Sequence, residues 1–250
     1  MTRIYSTEAE LYDIAFSWDL SPEADWLVER LGPGCRSVLE PGCGTGRMLE
    51  ALARRGLEAT GLDSSERMAA YARDRLARAG VAAEITVADM ADFELGRWFE
   101  GAVCPISTIG LLSSEQLARH LEAMARHLVP GSSYLVQQGL AAGEADLWRS
   151  EWEAERGEVR LHVVFEALGR DAAARQERSR SRVEILTGQR AGEVVEDLHT
   201  STFWTAETWR TAVAASPLSQ VACYDGSLPE RPEVDVGQAG GYLWHQLVAP

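Results

Sequence analysis

Residues 38–49, VLEPGCGTGRML, constrain the fold more than any other stretch of the chain. An apolar run ends in three alternate glycines, Gly42, Gly44 and Gly46, and apolar residues then resume at helical spacing as Met48, Leu49 and Leu52. A chain that leaves a strand and at once enters a helix must turn sharply, and glycine adopts the positive φ of such turns without steric cost. The missing side chains also let a ligand approach the backbone, where the start of a helix offers free N–H groups. The stretch therefore predicts a strand, a cradle for a polar ligand at its carboxyl edge, and a helix behind it.

The rest of the first 140 residues follows the same alternation. STEAELYDIAF predicts a helix opened by Ser6 or Thr7, and SPEADWLVERL one capped by Ser21 with Pro22 in its first turn. Strands are predicted at 37–41, 58–63, 83–89, 99–106 and 132–139, with helices at 45–55, 65–79 and 113–128, the last capped by Ser113 or Ser114. Strands alternating with helices give a doubly wound, Rossmann-like α/β sheet. After residue 140 the pattern changes. A tryptophan-rich helix is predicted at 144–156, putting Trp148 and Trp152 on one face, followed by strands at 159–168, 181–187 and 193–204. Thr205 then caps a helix, and SQVACYD and GYLWHQLVA close the chain as strands joined by a polar, mobile loop. The reading is one domain over 1–250, with N-terminal helices over 1–35 and an antiparallel β insert over 141–204.

Charge and residue usage exclude several classes of function. Acidic residues outnumber basic ones 38 to 24, for a net charge of −14, which argues against nucleic acid as a partner. Arg178, Arg180 and Arg182 are read as a solvated strand face. All 24 basic residues are arginine, so Schiff-base chemistry and a phosphate-loop lysine are unavailable. The four cysteines are scattered without a CxxC pair, indicating neither a zinc site nor a disulfide scaffold. No apolar run follows Met1 or is long enough to span a bilayer, which predicts a cytoplasmic chain with no membrane partner.

Three acids define the ligand further. Asp63 closes the second strand, where a carboxylate accepts hydrogen bonds from ribose hydroxyls. That leaves NAD and S-adenosylmethionine. Glu40, at the tip of the first strand, would repel a pyrophosphate and suits an ammonium group. Asp89 ends the third strand, in place to accept from an adenine amino group. Position 47 is Arg, and the third glycine falls one residue early for the dinucleotide fingerprint.

At these residues the chain resembles the class I S-adenosylmethionine-dependent methyltransferases, through VLEPGCGTG, ATGLDSSERM, ITVADMADF, FEGAVCPIST and HLVPGSSYLVQQG. The resemblance implies a seven-stranded sheet whose last strand is antiparallel. It implies that Glu40, Gly42, Gly44 and Gly46, with Cys43 between them, hold the methionine portion. Asp63 would hold the ribose, Ser64 and Met68 would border ribose and adenine, and Asp89 and Met90 would bracket the adenine. Cys104, Pro105 and Ile106 would pass beneath the sulfonium. The product would be S-adenosylhomocysteine.

The acceptor is expected to be a small molecule, an amine ahead of a hydroxyl, because an amine needs only to arrive uncharged. No metal ligands are apparent. The alternatives are an O-methyltransferase for a natural-product hydroxyl, a non-catalytic protein that only binds S-adenosylmethionine, and a nicotinamide oxidoreductase. AELYDIAF is similar to a Tyr-Asp segment of small-molecule methyltransferases whose tyrosine lies over the cofactor, which makes Tyr12 a candidate for orienting donor or acceptor, with Tyr5 as its substitute. The insert would be the lid over the acceptor. DLHTSTFW resembles a His-bearing strand of amino-sugar N-methyltransferases, so His199 is the candidate proton acceptor. His120 and His127 are read as one solvated or partly buried helix face, and His162 and His245 carry no role.

Overall fold

A computed structural model describes residues 2–141, 147–237 and 241–250. Helices α1 (Ala9–Ala15) and α2 (Ser21–Leu31) precede β1 (Ser37–Pro41), α3 (Arg47–Ala53), β2 (Glu58–Asp63), α4 (Glu66–Ala79), β3 (Ala83–Val87) and β4 (Phe99–Cys104). A 3₁₀ turn at Thr108–Leu111, α5 (Ser114–His127) and β5 (Leu128–Leu140) complete the first half. Four strands follow, β6 (Arg149–Arg156), β7 (Val159–Asp171), β8 (Gln176–Ile185) and β9 (Val194–Thr202), then α6 (Ala206–Ala214), β10 (Ser219–Asp225) and β11 (Gly241–Val248).

Seven strands form one sheet in the order β10-β11-β5-β4-β1-β2-β3. β1 lies parallel to β2 and β4, and only β11, the last strand, runs antiparallel to its neighbours β5 and β10. The expected architecture is present. Its helices form for local reasons: Ser113 and Thr205 each close a capping box with the residue three positions on. At α2 the cap differs from expectation. Ser21 is already helical, and the carboxylate of Asp19 accepts its N–H.

The insert is a separate antiparallel sheet of four strands, β6-β7-β8-β9. Its first strand replaces the predicted helix. Part of that prediction, 142–146, lies outside the described residues, and the rest pairs with β7 from Arg149↔Glu166 to Arg156↔Val159. Gly157, at φ 58°, makes the tight turn between them. Trp152 donates to the carbonyl of Ala15 at the end of α1 and Trp148 to Glu177 of β8, so the two indoles do not share one helix face. Part of the connection after β10 is also held: the Asp225 N–H donates to the carbonyl of Pro232, and the Val234 N–H to that of Cys223.

One core layer joins the two sheets. Ile4, Leu11, Tyr12 and Ile14 bury against Leu161, Val163, Val183, Ile185 and Val195 on the inner face of the insert, with Met68 of α4. Burying each such aliphatic side chain contributes about 1.5–3 kcal/mol. The N-terminal segment is therefore the adhesive between insert and main sheet.

Candidate functional site

The glycine loop follows β1 as the sequence predicts. Gly42, Gly44 and Gly46 have φ of 69°, 54° and 75°, a region other residues adopt only at a cost. At Gly42 a Cβ would also stand 2.6 Å from Thr108 Cγ2. At Gly44 it would lie 3.6 Å from Cε1 of Tyr12, whose ring covers the loop. The loop is thus thin because two side chains already press on it.

Beside it opens a crevice lined by residues that include Tyr12, Glu23, Glu40, Arg47, Pro105 and Ile106. Gly42, Cys43 and Thr108 complete the loop side. Glu40 is 3% exposed, and its Oε2 has no hydrogen-bond partner among the described residues. Burial pushes its carboxyl well above the usual range, against the opposing pull of Arg47. A buried polar atom left unpaired costs roughly 1–3 kcal/mol, so the site keeps an acceptor in readiness for a donor. Burial also raises the thiols of Cys43 and Cys104, the latter to about 12, so neither is a ready nucleophile.

Asp63 lies at the loop's other side. It accepts from the N–H of Gly44 at 2.9 Å and of Ser65 at 2.8 Å, and burial raises its carboxyl despite both bonds. Asp63 thereby holds the loop's shape. Ser64 is exposed, and Met68 is buried at the start of α4 below it. Asp89 is exposed past the end of β3 and accepts from Ala91 N, while Met90 is half-buried, its sulfur facing Gly42. The chain after β4 is strained. Ile106 and Ser107 both sit at positive φ, 50° and 54°, a combination that costs about 1–3 kcal/mol per residue. The side-chain oxygen of Gln137 accepts the Ile106 N–H at 2.5 Å and helps hold it there.

His199 does not line the crevice. It is reached through rings: Tyr12 meets Tyr5 edge-on at 6.0 Å, and Tyr5 meets His199 at 5.0 Å. Its ring nitrogens face Ser181 Oγ at 2.7 Å and Thr2 Oγ1 at 3.2 Å. Burial lowers its pKa, with Asp197 opposing, which favours the neutral ring.

Two readings of histidine change. His120 and His127 are fully buried, where the sequence predicts a solvated or partly buried face. His120 bridges the carbonyl of Met90 at 2.6 Å and the hydroxyl of Tyr134 at 2.8 Å, and burial brings its pKa down to about 4. His127 accepts from the Leu95 N–H at 2.9 Å.

The residue sequence reasoning missed is Asp13. It is fully buried beside Tyr12, accepts from Thr45 Oγ1 of the glycine loop at 2.8 Å and from Tyr71 at 3.0 Å, and forms ion pairs with Arg75 of α4 and Arg156 of β6. Burial works to raise its carboxyl, but the hydrogen bonds and charge of Arg75, with Arg156 and Thr45, hold it below the usual range. One carboxylate therefore fastens α1, the loop, α4 and the insert, and so fixes where Tyr12 stands. The available signal was an acid next to Tyr12 in AELYDIA, where the helix's other acid, Glu10, is exposed.

Comparison with known proteins gives a consistent set. Residues 38–131 match a family described as a methyltransferase domain. The dTDP-3-amino-3,6-dideoxy-alpha-D-glucopyranose N,N-dimethyltransferase of Streptomyces fradiae is 31% identical over 207 residues, covering 73% of this chain and 80% of that protein. The dTDP-3-amino-3,4,6-trideoxy-alpha-D-glucopyranose N,N-dimethyltransferase of Streptomyces venezuelae is 34% identical over 137 residues. That alignment spans 52% of this chain and 56% of the relative, little more than half its length. Among solved structures, Streptomyces venezuelae DesVI aligns with a TM-score of 0.78 at 26% identity, over 97% of this chain and 98% of that one.

Proposed function

This chain belongs to the S-adenosylmethionine-dependent methyltransferases, and within that family we propose that it methylates the amino group of a small molecule. The acceptor class we assign is a nucleotide-linked amino sugar, the kind named for its relatives from Streptomyces fradiae and Streptomyces venezuelae. The observation that carries the reading is Glu40: a buried carboxyl oxygen without a partner among the described residues, in a crevice beside three left-handed glycines. An ammonium group supplies the missing donor there, and the thin loop admits the rest of a methionine tail.

Bound in this crevice, S-adenosylmethionine supplies a methyl group already activated on a sulfonium. The protein's part is then positioning and exclusion of water. Glu40, Gly42, Cys43, Gly44 and Gly46 would border the methionine portion. Asp63 and Ser64 would meet the ribose, with Met68, Asp89 and Met90 around the adenine. Cys104, Pro105 and Ile106 would form the floor under the reacting carbon, where the strained Ile106–Ser107 backbone is held by Gln137. Tyr12 would orient donor and acceptor from above. In this scheme residues 1–35 and the insert 141–204 enclose the acceptor within one domain.

The amine must arrive uncharged and lose a proton once methylated. His199 is our candidate for that proton, at the far end of the Tyr12–Tyr5 ring contacts. Its neutral state suits a base, and one of its two hydroxyl partners would have to yield the lone pair. Amine transfer is favoured over hydroxyl transfer because the relatives from Streptomyces fradiae and Streptomyces venezuelae are both named as N,N-dimethyltransferases. Titration calorimetry with S-adenosylmethionine, then mass spectrometry of a dTDP-linked amino sugar, simple amines and phenols, tests the proposal. One or two methyl groups gained by the amino sugar would support it. Absence of cofactor binding would end it, and transfer to phenols alone would replace it with O-methylation.

A further inference from the structure

Opposite charges share the crevice without meeting. Glu40 stands at one foot of the glycine loop and Arg47 at the other, and both line the cavity with Glu23. Yet among the described residues Arg47 makes no ion pair. Its Nη2 donates to the carbonyl of Trp18 at 3.2 Å, and its guanidinium lies over the Trp18 ring, 4.8 Å from the centroid. Its other N–H groups have no hydrogen bond to the protein among the described residues, and the side chain is half-buried. A guanidinium held out of water without an anion is unfavourable unless something else completes it.

We propose that Arg47 receives the α-carboxylate of the methionine portion, so that Arg47 and Glu40 together read the zwitterion of the bound amino acid. The inference rests on the reading of the crevice as the S-adenosylmethionine site. An α-amino acid carries its ammonium and carboxylate on one carbon, so a single short ligand satisfies both feet of the loop. The geometry suits Arg rather than Lys: Trp18 takes one edge and one face of the planar group, and leaves other donors of the fork for a carboxylate. Glu23, half-buried in the same wall, adds negative charge that keeps free anions out unless they bring a cation with them. The loop thus selects its ligand by a charge pair.

Three ligands separate the contributions: S-adenosylhomocysteine carries both charges, decarboxylated S-adenosylmethionine lacks the carboxylate, and 5′-methylthioadenosine lacks the whole amino acid. Calorimetric affinities are measured for the wild type, Arg47→Met and Arg47→Lys, with thermal melts confirming that all three fold. Arg47→Met should weaken S-adenosylhomocysteine by about 10- to 100-fold, the range for hydrogen bonds between charged groups. It should leave methylthioadenosine within about twofold, with Arg47→Lys between wild type and Met. Unchanged binding of S-adenosylhomocysteine by Arg47→Met would overturn the assignment, as would an equal loss for all three ligands. Should the wild type bind none of them, the methyltransferase reading fails and takes this assignment with it.

Discussion

The crevice and the insert treat charge in opposite ways. Around the glycine loop, among the described residues, Glu40 keeps an oxygen unpartnered and Arg47 makes no ion pair. On the insert, many acids and bases meet: Glu166 pairs with both Arg149 and Arg180, Arg182 with Glu184 and Glu196, and His162 with Glu151. The first region carries unmet polar groups that a ligand completes. The second has its ion pairs already made, with Arg180 and Arg182 of the arginine row both engaged by strand carboxylates. The contrast shows where to look for chemistry in a strongly charged protein: at charges without partners, not at the densest clusters.

The largest way to break the contrast is at the joint between the regions. Replacing Asp13 by Ala leaves Arg75 and Arg156 without their shared carboxylate, and should destabilise the protein by roughly 3–5 kcal/mol in urea titrations. A loss below about 1 kcal/mol would mean that loop and insert are held independently. Gly42→Ala should come next. It places a methyl group against Thr108 at a left-handed φ, so cofactor affinity should fall at least about tenfold for a stability cost of about 1–3 kcal/mol. Wild-type affinity in that variant would show that the loop has room we do not credit.

The pH dependence sharpens the same contrast. Burial raises the Glu40 carboxyl, with Asp63 and Glu23 adding to the rise and Arg47 opposing it. A folded-state pKa raised in this way favours folding below the ordinary carboxylate range, a contribution lost as pH climbs through the raised value. Ligand ammonium favours the ionised form, so binding should release a proton, and affinity should increase with pH until Glu40 ionises unaided. Calorimetry of S-adenosylhomocysteine in buffers of different ionisation enthalpy reads this directly; proton uptake would contradict it. Glu40→Gln should bind more weakly yet be no less stable at neutral pH. The smallest effect belongs to the insert. Arg182→Ala should change stability by no more than about 0.5 kcal/mol and leave cofactor affinity alone.

What could be read in advance follows from how local each determinant is. The strands of the main sheet are short apolar runs closed by glycine or acid, and their helices carry their own caps at Ser113 and Thr205, so order and class came from the chain itself. Glu40 stood out as an acid inside the apolar run SVLEP. β6 departs from the expected helix because its Glu, Ala and Arg residues are strong helix formers, and only pairing with β7, across Gly157, makes that segment extended. The spacing of His120 and His127 gave them a common face but not which face, and the buried partners Met90 and Tyr134 come from elsewhere in the chain. Asp13 illustrates the limit best. Its partners Thr45, Arg75 and Arg156 lie far apart in sequence, and nothing in AELYDIA announces them.

That arrangement also restricts how such a protein can be rebuilt. An insert grafted from a relative to change the acceptor would have to bring its own arginine to the place of Arg156, or arrive with a first helix already matched to it. With the insert as the acceptor lid we propose, acceptor choice and methyl-donor geometry would be inherited as one package, and libraries that shuffle the helix and the insert together should yield more active chimeras than those that exchange the insert alone.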